Sequence, residues 1–176
     1  MAASVVHVVC VVALLGLASC GSSKALLTVT NETADGTVVL TYQGDSVAQN
    51  LIQEIRFDGL GDTLAITQIL KGVLHGDVVS FHPSGVRKES VTYSNGVQSG
   101  PYRAFDTEGT LVFEGFLKEG KKHGAWSTWY DATQMRQQCH YENDVLSGKC
   151  TYWFIDGNLQ REETYSDGKL VASRDH

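Results

Sequence analysis

GPYRAFDTEGTLVFEGFLKEGKKH, residues 100–123, lies between two variants of itself: GDVVSFHPSGVRKESVTYSNGVQS at 76–99 and GAWSTWYDATQMRQQCHYENDVLS at 124–147. A fourth copy opens at 148 as GKCTYWFIDGNLQREETYSDGKL. The lead glycines Gly76, Gly100, Gly124 and Gly148 are spaced by one period of 24 residues. At offset five from each stands a large aromatic: Phe81, Phe105, Trp129 and Trp153. Offset nine holds Gly85, Gly109 and Gly157, with Thr133 in the third copy; offset seventeen holds Tyr93, Leu117, Tyr141 and Tyr165. Offset twenty holds Gly96, Gly120 and Gly168, with Asp144 in the third copy. Upstream, Phe57, Gly61, Ile69 and Gly72 fall at the same offsets, so residues 52–75 read as a worn repeat.

Turn signals such as Ser84-Gly85, Asn95-Gly96, Glu108-Gly109, Asp156-Gly157 and Asp167-Gly168 leave short runs of four to eight residues between them. Asn or an acidic residue before Gly suits the positive φ of tight hairpin turns, and no run has the length or period of a helix. The expectation is an all-β fold: an elongated, single-sheet antiparallel meander of stacked 24-residue β-hairpins, with the array over residues 51–176. Four to five such units extend about 40–50 Å at about 10 Å per hairpin. One hairpin cannot bury its own aromatics, but stacked neighbours can ladder them along one face. Offsets two and five differ by an odd number (Tyr102 with Phe105, Trp126 with Trp129), which requires either a bulge or two partly apolar faces.

Gly100-Pro101-Tyr102, Gly124-Ala125-Trp126 with Trp129-Tyr130, and Tyr165-Ser166-Asp167-Gly168-Lys169 together resemble the bacterial MORN-repeat variant, whose members are often labelled antitoxin-like. The resemblance spans roughly residues 55–170 and implies a repeat scaffold; Thr133, Asp144 and Cys150 depart from its pattern. It also supplies an alternative function, an immunity or antitoxin-type protein that neutralises a cognate toxin.

Residues 1–20 contain no Lys, Arg, Asp or Glu, and Val8 to Ala18 is a nearly unbroken apolar run. That is the length of a signal-peptide core and too short for an ordinary membrane span. Leu17-Ala18-Ser19-Cys20 resembles the bacterial lipobox, which makes residues 1–19 a lipoprotein signal peptide and Cys20 the lipidated first residue of the mature chain. Several acyl chains, each contributing about 0.8 kcal/mol per buried CH₂, anchor a protein where one chain does not. Gly21 after the cysteine matches release to the outer membrane, so the expected place is the bacterial cell envelope, held by membrane lipid through Cys20. The n-region offers only His7 in place of a basic residue, and a plain secretory signal cut near Cys20 is the alternative. Residues 20–50 then comprise the lipidated terminus and two capping strands, Ala25–Thr30 and Thr37–Tyr42, around a polar turn at Asn31–Gly36.

The formal net charge of −6 argues against a nucleic-acid partner. The basic group Lys118, Lys121 and Lys122, with His123, sits at a turn and reads as a solvated hairpin tip. Cys139 and Cys150 lie on neighbouring strands and, for a turn centred on Asp144-Val145, stand opposite one another as candidates for a disulfide in an exported chain.

The histidines make no zinc-spaced set, and no nucleophile elbow, P-loop or dinucleotide fingerprint occurs. Acidic pairs such as Glu162 with Glu163 and Asp106 with Glu108 are expected at strand ends or turns, where water accounts for them. No catalytic residue, metal or cofactor is assigned. The expected role is a non-catalytic scaffold that binds a protein or an envelope polymer, with Tyr102, Trp126, Tyr130 and Trp153 as the candidate binding face.

Overall fold

The structure is a computed structural model that describes residues 8–11, 26–43 and 51–176, the first stretch by its backbone alone. Strands β1 (Val8–Val11), β2 (Leu26–Thr33), β3 (Gly36–Gln43), β4 (Leu51–Phe57) and β5 (Thr63–Leu70) come first. They are followed by β6 (Val73–Phe81), β7 (Arg87–Ser94), β8 (Val97–Phe105), β9 (Leu111–Lys118) and β10 (Lys121–Trp129). The last four are β11 (Met135–Glu142), β12 (Val145–Trp153), β13 (Leu159–Ser166) and β14 (Lys169–Asp175). All fourteen form one antiparallel sheet in chain order, the meander that the period predicts, with no helix among the described residues. From β4 to β14 the array runs roughly 50 Å at strand spacing.

Each period contains two connections of different build. The first is a two-residue turn whose central residues both have positive φ: Lys71-Gly72 (51°, 80°), Asn95-Gly96 (49°, 83°), Glu119-Gly120 (53°, 78°), Asn143-Asp144 (51°, 70°) and Asp167-Gly168 (49°, 76°). That is the type I′ turn, whose twist matches that of the flanking strands. Its second residue also donates to the preceding hairpin: Gly96 N–H to Leu74 O at 2.8 Å, Gly120 to Gln98 at 2.7 Å, Asp144 to Lys122 at 3.0 Å and Gly168 to Leu146 at 2.9 Å. These four turns are thereby each bonded to the unit before them. Asp144 fills a glycine position because its Oδ1 accepts the Lys122 N–H at 2.8 Å.

The second connection is longer than the Glu108-Gly109 and Asp156-Gly157 dipeptides suggest. In residues 106–110 the Asp106 N–H donates to Thr110 O at 3.0 Å and the Gly109 N–H to Asp106 O at 3.2 Å; only Gly109 is left-handed. The unit that carries Thr133 keeps the Tyr130 N–H to Gln134 O bond at 2.9 Å and replaces the glycine with a side-chain clamp. Asp131 Oδ1 accepts from the backbone of Thr133 and Gln134 and from the Thr133 hydroxyl, which holds its carboxyl below the usual range.

Both devices expected from the odd spacing are present. The register slips by one residue just before each offset-five aromatic, at Ser80/Phe81, Ala104/Phe105, Thr128/Trp129 and Tyr152/Trp153. The extra residue lies on the partner strand, so alternation still puts Tyr102 and Trp126 on one face and the offset-five rings on the other. The lead glycines stand inside strands, where the register steps by two. Val91 pairs with Tyr102 but Tyr93 pairs with Gln98, and Gly100 between them has φ 145° with Thr92 packed against it.

Toward the chain start, β3 pairs with β4 and the β2–β3 hairpin covers the first edge of the array, its strands running longer than expected around a turn at Ala34 and Asp35. Strand β1 pairs with β2 through Val8–Val11, inside the apolar run read as a signal core. The rest of that segment, with the lipidation candidate Cys20, lies outside the described residues.

Candidate functional site

Cross-strand register threads one column of side chains through the repeats. Val91 pairs with Tyr102 and Tyr102 with Gly115; Trp126 pairs with Cys139, Cys139 with Cys150 and Cys150 with Glu163. Val91, Leu117 and Trp126 form the buried centre, and Tyr93, Tyr102, Phe113 and Tyr141 pack around it. The Tyr102, Phe113 and Trp126 rings lie 5.1–5.8 Å apart by centroid, in tilted and edge arrangements that suit their quadrupoles. Burial pushes the Tyr102 hydroxyl up from its ordinary value, and Glu89 adds to the shift.

Trp126 is 5% exposed, with its indole folded over Gly115 and its Nε1–H donating to Phe116 O at 3.2 Å. It therefore supports the ladder and presents no surface, which removes it from the expected binding face. Above it lies the ammonium of Lys122, 4.9 Å from the Trp126 centroid, 5.0 Å from Tyr141 and 5.5 Å from Phe113. The solvated-tip reading holds for the exposed Lys118 and Lys121 and fails for Lys122. Lys122 pairs with Leu117 across the two-residue turn and shares its face.

Cys139 and Cys150 continue the column, their Cα atoms 4.0 Å apart and their sulfurs joined. The turn that aligns them is centred on Asn143-Asp144, one residue earlier than expected; the two-residue step around Gly148 restores the pairing. Beyond Cys150 the column passes through Glu163, 8% exposed and mid-strand, not at the solvated strand end assigned to it, before reaching Ser173 on the last strand. Its Oε2 accepts from the Tyr152 and Tyr165 hydroxyls, each at 2.9 Å, and its Oε1 lies 3.1 Å from Arg161 Nε, an ion pair without hydrogen-bond alignment. The Arg161 guanidinium covers the Tyr152 ring at 4.6 Å. Burial and then the bond to Glu163 push Tyr152 up to about 12, and Glu163 raises Tyr165 as well.

Beside the offset-five rings, the opposite face carries one polar cross-strand contact per unit: Thr92 to Asp77, Arg103 to Glu114, Gln138 to Ser127, and Lys149 with Glu162. The remaining binding-face candidates, Tyr130 and Trp153, sit at the sheet edge formed by the longer loops. There the Tyr130 hydroxyl donates to Trp153 O at 3.2 Å and the Arg136 guanidinium lies 5.6 Å from the Tyr130 ring. The four candidates thus divide between two places. Phe154 and Ile155, exposed beside Trp153, belong with the second group and were missed, although each stands where earlier units carry polar or turn residues. Among the described residues no three His, Cys, Asp or Glu side chains cluster as metal ligands.

The family model described as MORN repeat variant matches residues 74–95. That stretch covers nearly all of the β6–β7 hairpin and the first residue of its following turn. The match covers one unit and supports the repeat reading, and with it a repeat scaffold.

Proposed function

We propose that this chain is an envelope lipoprotein, anchored through Cys20, whose hairpin array serves as a non-catalytic scaffold for a protein or an envelope polymer. The observation that carries the scaffold reading is the use of its chemistry-bearing side chains. Lys122, Glu163, Tyr152 and Tyr165 are engaged in holding one strand to the next along an open single-layer sheet. Such a sheet offers length and repetition to a partner, where catalysis asks for a walled site.

The anchor adds an orientation. Leu26 pairs with Gln43, and Tyr42 with Leu51, so β2 begins at the edge of the sheet that carries the two-residue turns. Lipid on Cys20 would tether that edge, which carries Lys71, Lys118, Lys121 and Lys169, and leave the Tyr130–Ile155 edge farther from the bilayer. Cleavage before Cys20 would also release β1 and make β2 the outer strand.

Metabolic labelling with a fatty-acid analogue tests the anchor: label on the chain that disappears in Cys20→Ser supports it, and label retained in Cys20→Ser overturns it. Affinity capture from cross-linked envelopes tests the scaffold. One stoichiometric partner, lost when Tyr130 and Trp153 are both changed to Ser, supports a protein ligand. A neighbour-encoded toxin as that partner would instead favour the immunity role, and recovery unaffected by the change would remove these residues from the binding surface.

A further inference from the structure

The longer loops change character along one edge. Offset six reads Asp58, His82 and Asp106 and then Tyr130 and Phe154, while offset seven ends on Ile155. Folding does not ask for this, because the loops at 58–62 and 106–110 close the same backbone bonds with aspartate at offset six. Tyr130, Phe154 and Ile155 are nevertheless 40%, 44% and 68% exposed. They stand on the two neighbouring loops of one edge, where the Tyr130 hydroxyl donates to the Trp153 carbonyl, and the Arg136 guanidinium lies over the Tyr130 ring. Among the described residues Arg136 has no ion-pair partner.

The matching chemistry is on the same chain. Asp58-Gly59-Leu60-Gly61-Asp62 presents Leu60, 90% exposed, between two carboxylates. Asp58 Oδ1 accepts the backbone N–H groups of Leu60 at 2.8 Å and Asp62 at 2.9 Å, so the leucine is held out on a braced loop. Asp62 also has no ion-pair partner among the described residues. An exposed apolar knob flanked by acid and an exposed apolar patch bordered by a base are thus both unmet within one molecule.

We propose that a second copy of this chain occupies the patch: Leu60 of one copy seats against Tyr130, Phe154 and Ile155 of the next, with Asp62 facing Arg136. Knob and patch lie on the same edge of the sheet, that of the longer loops, so two copies meeting edge to edge about a two-fold axis make the contact twice. Each contact involves only a few side chains, so the pair forms at high concentration and dissociates on dilution. This proposal needs neither the lipid anchor nor the scaffold's outside partner.

Sedimentation equilibrium of the full chain over a concentration series tests it. The expected result is a weight-average mass that climbs above the monomer. Leu60→Ser and Ile155→Ser should each weaken association on the order of tenfold, the loss of one well-buried apolar contact. Arg136→Asp should weaken it similarly, and adding Asp62→Arg to that variant should restore it. Thermal melts that match the parent chain separate these losses from misfolding. A monomer at every concentration, association unaffected by Leu60→Ser and Ile155→Ser, or a charge exchange that fails to restore it would each overturn the proposal.

Discussion

The indole of Trp126 lies over the α-carbon of Gly115 on the adjacent strand, in the space where any side chain at 115 would begin. Gly115 and Trp126 are one unit: the large residue reaches the buried centre because its neighbour has no Cβ. Gly115→Val should therefore destabilise the chain by about 1–3 kcal/mol through overpacking. Chemical denaturation reads the cost. In a Trp126→Ala background the same change should cost much less, since the clash is gone; an equal cost in both backgrounds would mean the backbone at 115, not the ring, sets the requirement.

Lys122 bridges three aromatic rings, Trp126 of its own strand and Phe113 and Tyr141 of the two flanking strands, with its stem along the face that Leu117 shares. Lys122→Met keeps the stem and removes the charge, so its cost isolates the cation–π contribution, about 0.5–2 kcal/mol. Lys121→Met, at an exposed position one residue away, should be near neutral. Equal and negligible effects at both positions would return Lys122 to the solvated tip.

These two residues also mark where the sequence is readable and where it is not. The period, the meander and the two-residue turns are legible because glycine, aromatic and turn residues recur at fixed offsets, each for a steric reason. Glu108-Gly109 and Asn95-Gly96 look alike as dipeptides yet end a five-residue loop and a two-residue turn, since a dipeptide does not encode loop length. By sequence Trp126 reads as a binding-face residue because tryptophan favours both cores and interfaces, and only the packing against Gly115 separates the two. Lys122 and Glu163 read as solvated because of their charge. Column position would have corrected both, since Leu74 and Leu146 share the offset of Lys122, and Val91 and Cys139 share that of Glu163.

Tyr152 supplies a pH dependence with a definite sign. Its folded value is raised from 10.0 to about 12, by burial and by the Glu163 bond. A raised value means the folded chain holds the proton longer. The associated stability is fully present below about pH 10 and is lost as pH rises through about 12, with Tyr165 acting in the same direction. Two units correspond to nearly 3 kcal/mol, but the ring is half-exposed and solvent screening reduces this to about 1 kcal/mol. Denaturation midpoints between pH 9 and pH 11.5 should fall more steeply for the parent chain than for Tyr152→Phe. Parallel curves would remove the hydroxyl from the pH response.

The Cys139–Cys150 pair occupies the stretch of the column between the aromatic cluster and Glu163, where neither residue can fill the space of a ring. A covalent link there joins the third hairpin to the fourth with a sequence separation of 11. Closing a loop of that length lowers the entropy of the unfolded chain by the equivalent of roughly 3 kcal/mol. Both sulfurs are buried, at 2% and 0% exposure, so reductant should reach them only through unfolding of this part of the sheet. Intact mass with and without alkylation under denaturing conditions reports the bridge, which should resist dithiothreitol in the folded chain. Cys139→Ala with Cys150→Ala should lower stability by about 2–4 kcal/mol, while the fluorescence of Trp126, which pairs with Cys139, reports whether the ladder stays packed. Free thiols in the chain kept under oxidising conditions, or a double variant as stable as the parent, would show that the column closes here by packing alone.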